Sequence, residues 1–158
     1  MRVYADTSFL VRLVTEEPGT EAAMADYHRL GRPAMFYLPL HSLEVANAVR
    51  QRAFHLRRSA PASERAAIKR ETETALALLS KFLARRVFIE SSVDMDSAIE
   101  IARSLSAKHT ERLGCRGFDL LHVALALELE CETFLTADRI QGALARAEGL
   151  DVTVGADE

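Results

Sequence analysis

Tryptophan is absent, and the chain holds only two cysteines and four prolines. Cys115 and Cys131 do not form a C-x-x-C pair, so neither a disulfide framework nor a zinc knuckle is expected. Cys131 reads as a small buried residue after a helix and Cys115 as an exposed one. No apolar run approaches the length of a membrane span. The opening Met1-Arg2-Val3-Tyr4-Ala5-Asp6 places a carboxylate where a signal peptide needs its apolar stretch, which points to a cytoplasmic protein. There is no G-x-x-x-x-G-K-[ST] loop, which excludes a P-loop enzyme. Internal repeats and low-complexity tracts are also missing. A large excess of either charge is lacking too, since the formal net charge is −3. Taken whole, that argues against a general nucleic-acid binder.

What is present suits one globular domain over residues 1–158, with 49% hydrophobic and 27% charged residues. Charge is unevenly spread. Between Arg50 and Arg86 stand ten basic residues against Glu64, Glu71 and Glu73, a net +7 on an otherwise acidic chain. Such a segment is a candidate phosphate-binding face, with Arg50, Arg57 and Arg58 as its leading phosphate contacts.

Short β-type runs alternate with helical periodicity. Strands are expected at 3–5, 35–38, 87–89, 134–136 and 152–154, with helices between them from Phe9, Thr20, Pro39, Ser63, Asp94, Phe118 and Arg139. Residues 110–117 read as a loop. The alternation predicts an α/β fold, a three-layer α/β/α sandwich on a mainly parallel sheet. Residues 50–86, the one long stretch without a strand, read as a basic helical hairpin projecting from it.

Four acidic residues carry the chemistry: Asp6, Glu44, Asp119 and Asp138. Asp6 follows the first strand and Asp138 the fourth, and ligands of open α/β sheets bind at the carboxyl ends of strands. Asp119 opens the apolar helix Leu120-Leu121-His122-Val123-Ala124, where an unpaired charge is costly. Glu44 lies in the first turns of its helix, with Asn47 three residues on to orient it. Singly, each also reads as a helix cap or a dipole-compensating acid. Jointly, carboxylates at one sheet edge repel unless a cation neutralises them. Hard oxygen ligands favour Mg²⁺ or Mn²⁺, held by Asp6, Asp119 and Asp138. His122 reads as a packed helix histidine that could face the site. His41 lacks the further histidine a zinc site would want, and His28, His55 and His109 read as surface residues. Arg116, just before Asp119, is a candidate phosphate contact.

Ala5-Asp6-Thr7-Ser8-Phe9-Leu10, Leu43-Glu44-Val45-Ala46-Asn47, Phe118-Asp119-Leu120-Leu121-His122-Val123-Ala124 and Phe134-Leu135-Thr136-Ala137-Asp138 closely resemble PIN-domain proteins, most nearly the VapC-type toxins of bacterial toxin–antitoxin pairs. The resemblance covers nearly the whole chain in the right order. It implies a Mg²⁺- or Mn²⁺-dependent endoribonuclease with Asp6, Glu44, Asp119 and Asp138 as the acidic site. Thr7 and Thr136 match the family's neighbouring hydroxyls, and Asn47 matches the polar companion of the glutamate. A homodimer and a small cognate antitoxin are implied as partners. The chain departs from many relatives after Asp138, where Arg139-Ile140-Gln141 replace a further Asp and Phe. Two other readings stay open: an inactive PIN-like binding module, and another Mg²⁺ phosphotransfer enzyme. The second is weakened because Ser8 stands where a dehalogenase-like fold would want its second aspartate.

Overall fold

The computed structural model describes residues 1–154, leaving 155–158 of the expected domain outside the described residues. In chain order the elements are β1 (Val3–Ala5), α1 (Thr7–Val14), α2 (Thr20–Arg29), β2 (Met35–Tyr37), α3 (Pro39–Ser59), α4 (Arg65–Ala84), β3 (Phe88–Glu90), α5 (Met95–Leu113), α6 (Gly117–Glu128), β4 (Thr133–Thr136), α7 (Arg139–Ala147) and β5 (Asp151–Val154). The five strands form one sheet in the order β3-β2-β1-β4-β5, and every pairing is parallel.

Central strands of a parallel sheet are covered on both faces, and their residues are correspondingly apolar throughout. Val3, Tyr4 and Ala5 are all buried, as are the four residues of β4. Because side chains alternate across a strand, the two layers draw on alternate residues. Val3, Ala5, Met35, Tyr37 and Leu135 join one core with α1, α2, α3 and α4. Tyr4 and Phe134 join the other with α5, α6 and α7. This is the three-layer sandwich expected from the alternation of elements.

Pro39 suits the first turn of α3, where a missing N–H costs nothing, and the helix then runs 21 residues. A single 3₁₀ turn at Ala62–Glu64 reverses the chain into α4. The two long helices make the expected hairpin. Its root is part of the molecule's core, since Val45, Val49, Ala75 and Leu79 are buried together. The expected loop at 110–117 is much shorter. Helix α5 continues to Leu113, where Gly114 closes it at φ 70°, a conformation glycine adopts without a Cβ clash. Only residues 114–116 separate α5 from α6, and Cys115 is buried rather than exposed. His109 is buried as well, against the expectation, with Nε2 2.6 Å from Glu148 Oε1. Among the described residues no helix is long and apolar enough to cross a membrane.

Candidate active site

The strand order reverses between β1 and β4: from β1 the sheet grows one way through β2 and β3, and from β4 the other way to β5. A crevice outside the carboxyl ends of the strands opens at such a switch point. Register then decides what meets there. Ala5 pairs with Leu135, so the next residues, Asp6 and Thr136, come side by side, and the Asp6 N–H donates to the Leu135 carbonyl at 2.9 Å.

Asp6 is fully buried. It caps α1 through Oδ1, which accepts the Phe9 N–H at 2.9 Å and the Ser8 hydroxyl at 2.7 Å. Its Oδ2 accepts the Thr136 hydroxyl at 2.6 Å. Burial pushes the Asp6 pKa up, opposed by these donors and by His122. Thr136 also receives the Asp138 N–H at 2.8 Å, joining the two strand-end aspartates through one hydroxyl. Asp138 in turn caps α7, with Oδ1 accepting from Ile140 N at 2.7 Å and Gln141 N at 3.0 Å. The capping role and the site role are therefore the same placement: in both aspartates capping occupies Oδ1, while Oδ2 meets Thr136 in Asp6 and Arg116 in Asp138.

Asp119 is 3% exposed, which bears out its expected desolvation. It accepts the Arg116 backbone N–H at 2.8 Å, Arg116 Nε at 3.1 Å and Gln141 Nε2 at 3.2 Å. Arg116 Nη2 lies 3.4 Å from both Asp119 Oδ1 and Asp138 Oδ2. One guanidinium thus spans two carboxylates, and its side chain is 75% exposed.

Glu44 is brought in from α3. Thr7 donates its hydroxyl to Glu44 Oε2 at 2.7 Å, and His122 Nε2 lies 2.8 Å from the same oxygen. The other ring nitrogen, Nδ1, meets the Tyr4 hydroxyl at 2.8 Å. Burial and neighbouring carboxylates hold the Tyr4 phenol protonated, well above its ordinary pKa. The consistent arrangement is Tyr4 O–H donating to Nδ1 and Nε2–H donating to Glu44. Partial burial works to raise the Glu44 pKa, but the His122 and Thr7 hydrogen bonds outweigh it, so the carboxyl sits below its ordinary value. His41 packs at 5.5 Å from the His122 ring. Burial drives its pKa down to about 3, which makes it a neutral core residue.

Glu44, Asp119, Asp138, Thr7, Ser8, His122, Arg116 and Gln141 line one cleft of about 580 Å³, with Asp6 behind Ser8. A PIN domain model matches residues 3–149. The chain belongs to the PIN domain family. Among solved structures it is similar to the crystal structure of PAE2754 from Pyrobaculum aerophilum. That match has a TM-score of 0.55 at 16% identity over 96% of this chain and 89% of the other, a likeness of fold alone. No curated protein matches the sequence.

PIN domains are typically metal-dependent nucleases, and the residues of this PIN domain fit a divalent cation. The donors are hard oxygens. Asp119 and Asp138 already share one positive group, the Arg116 guanidinium. Among the described residues Gln141 Oε1, beside them, is buried without a hydrogen-bond partner. Among the described residues, no three acidic, His or Cys side chains form a ready-made metal group in this arrangement.

Of the residues expected from sequence, Asp6, Glu44, Asp119, Asp138, Thr7, Thr136 and Arg116 come together in this PIN domain. Asn47 does not join them. It is exposed on α3, and Thr7 and His122 orient Glu44 in its place. Arg50, Arg57 and Arg58 line a separate groove between α3 and α4. Three contributors escaped the sequence reading. Ser8 ties Asp6 to the Ala137 N–H at 2.9 Å, and Tyr4 anchors His122. Gln141 occupies a buried position of α7, and a polar residue on a helix's core face was the signal available.

Proposed function

We propose that this PIN protein is a metal-dependent endoribonuclease, the toxin of a toxin–antitoxin pair acting in the cytoplasm on RNA phosphodiesters. A homodimer and a cognate antitoxin that covers the acidic cleft complete the reading. The observation that carries the chemistry is the meeting of Asp6 and Asp138 at the β1/β4 switch point, hydrogen-bonded through Thr136 and adjoined by Asp119 and Glu44. Asp6, Asp119 and Asp138 would hold Mg²⁺ or Mn²⁺, which when bound lowers the pKa of water and stabilises a leaving oxygen.

The chain's own residues supply the rest. Among the described residues Glu44 takes the Thr7 and His122 donors on Oε2, and Oε1 would accept a proton from an attacking water. His122, fixed by Tyr4, keeps that carboxylate in place and ionised. Thr136 holds Asp6 to the end of β4, so the two strand-end aspartates keep one spacing. Arg116 offers a positive group at the mouth of the cleft for an incoming phosphate once its carboxylate partners are neutralised otherwise. The binding-module reading has one observation in its favour, since Arg116 already neutralises two of the carboxylates.

The test is cleavage of total cellular RNA by purified, antitoxin-free protein with Mg²⁺ or Mn²⁺, with EDTA, and with D6N and D119N. Discrete cuts that vanish with EDTA and in both folded variants support the nuclease. Absence of cutting by folded, inhibitor-free protein under either metal favours the binding module.

A further inference from the structure

The helical hairpin encloses a second recess, distinct from the acidic cleft. Arg50, Arg57, Arg58, Arg65 and Lys69 line a groove of about 570 Å³ between α3 and α4, together with the ring of Phe54. Phe54 is 57% exposed, and the Arg58 guanidinium lies 5.6 Å over its ring. Among the described residues Glu73 is the one acid lining the groove, and it pairs with Lys69 at 3.8 Å. Among the described residues no ion pair neutralises Arg50, Arg57, Arg58 or Arg65.

Unpaired arginines crowded into a groove repel one another and favour a polyanion. Charge alone would suit a duplex, a single strand or an acidic peptide. The aromatic ring discriminates. A phenyl ring that is more than half exposed among arginines, with Arg58 over one face, offers its remaining surface for stacking to an unpaired base, which a duplex keeps inside its helix. Position adds a third argument. Phe54 is ten residues beyond Glu44 on the same helix, about 15 Å along its axis, and Arg58 returns to the angular stripe of Glu44.

We propose that the α3/α4 groove is a docking site for single-stranded RNA, with a base stacked on Phe54 and phosphates held by Arg57 and Arg58. The strand would continue along α3 toward the acidic cleft, and for that continuation the proposal rests on the ribonuclease reading. Docking itself needs neither metal nor cleavage.

The experiment is fluorescence anisotropy of a labelled, mixed-sequence single-stranded RNA in EDTA, over a salt series, with wild type, F54A and an R57Q/R58Q double variant. All three positions are exposed, and melting curves check that the variants fold. Stacking is lost in F54A, so its affinity falls about 5- to 160-fold with an unchanged salt slope. Loss of two phosphate contacts in R57Q/R58Q lowers the log–log salt slope by about 1.4. Duplex RNA of the same sequence binds F54A as it binds wild type. Equal affinity of F54A and wild type for the single strand overturns the proposal. So does loss of polyglutamate binding in these variants with RNA binding intact, which would assign the groove to an acidic polypeptide. This pattern can hold for a protein that never cuts RNA, or fail for one that does, so the two readings fall separately.

Discussion

The acidic cleft and the basic groove are both concave, charged and served by α3, yet they are built in opposite ways. In the cleft, Asp6, Asp119 and His122 are buried and each is bound by side chains from other elements. In the groove the arginines are exposed, and among the described residues none of Arg50, Arg57 or Arg58 has an acidic partner. Buried, cross-linked polar groups hold a geometry, which is what a chemical step requires. Exposed, unpaired charge holds no geometry but draws a polyanion from a distance and loses that pull in salt. The contrast fits the proposed reading, in which the cleft does the chemistry and the groove the capture.

The sharpest way to break that division is to remove a carboxylate. D6N and D119N should each lower metal-dependent RNA cleavage by at least about 10²-fold, the scale of losing one preorganised electrostatic group. Both should still bind single-stranded RNA in EDTA. Equal loss of binding and cutting would erase the distinction between the two regions.

Thr136 tests whether the cleft is held as a unit. Its hydroxyl serves Asp6 at 2.6 Å and the Asp138 N–H at 2.8 Å. T136V keeps the shape and removes both bonds, so unfolding free energy should fall by about 2–3 kcal/mol. For a domain of this size that is a loss of roughly 4–12 °C in Tm, with cleavage reduced alongside.

Most of this frame was legible in the sequence. The strand-end placements of Asp6 and Asp138 follow from short β-type runs that stop at a carboxylate. Asp119 was marked by the apolarity of the helix it opens. What escaped was long-range pairing. His122 reads as a packed histidine, and it is one. Only the fold brings Glu44 to its Nε2 from 78 positions away. Asn47 fits the local spacing rule for a glutamate partner, but α3 turns it to solvent while Thr7 reaches Glu44 from α1. The end of α5 was placed too early because Thr110 to Leu113 carry no strong apolar pattern, and Gly114 supplies the real stop.

A subtler effect concerns pH. Burial raises the Asp6 pKa, so its contribution to stability is fully present below the unfolded value of about 3.9 and is lost as pH rises through the folded value. In EDTA, wild type should therefore lose stability relative to D6N as pH is raised through that range, measured by denaturant unfolding. Mg²⁺ should restore it by binding the folded state. Glu44 has the opposite sign. Its lowered pKa gives stability that is present above the ordinary carboxylate value and lost as pH falls through the folded one.

The smallest change should come from R116A. The side chain is three-quarters exposed, and ion pairs at such positions contribute little. Its Tm in EDTA should stay close to that of wild type. The Mg²⁺ needed for half-maximal cleavage should fall, because a competing positive group has left Asp119 and Asp138.

The division between cleft and groove is tested most directly by following binding and cutting of one RNA by wild type and D119N, first in EDTA and then after Mg²⁺ is added. The predicted result is equal binding by both proteins, followed by cleavage with wild type alone. A D119N protein that cuts the RNA at the wild-type rate would contradict the assignment of chemistry to the acidic cleft.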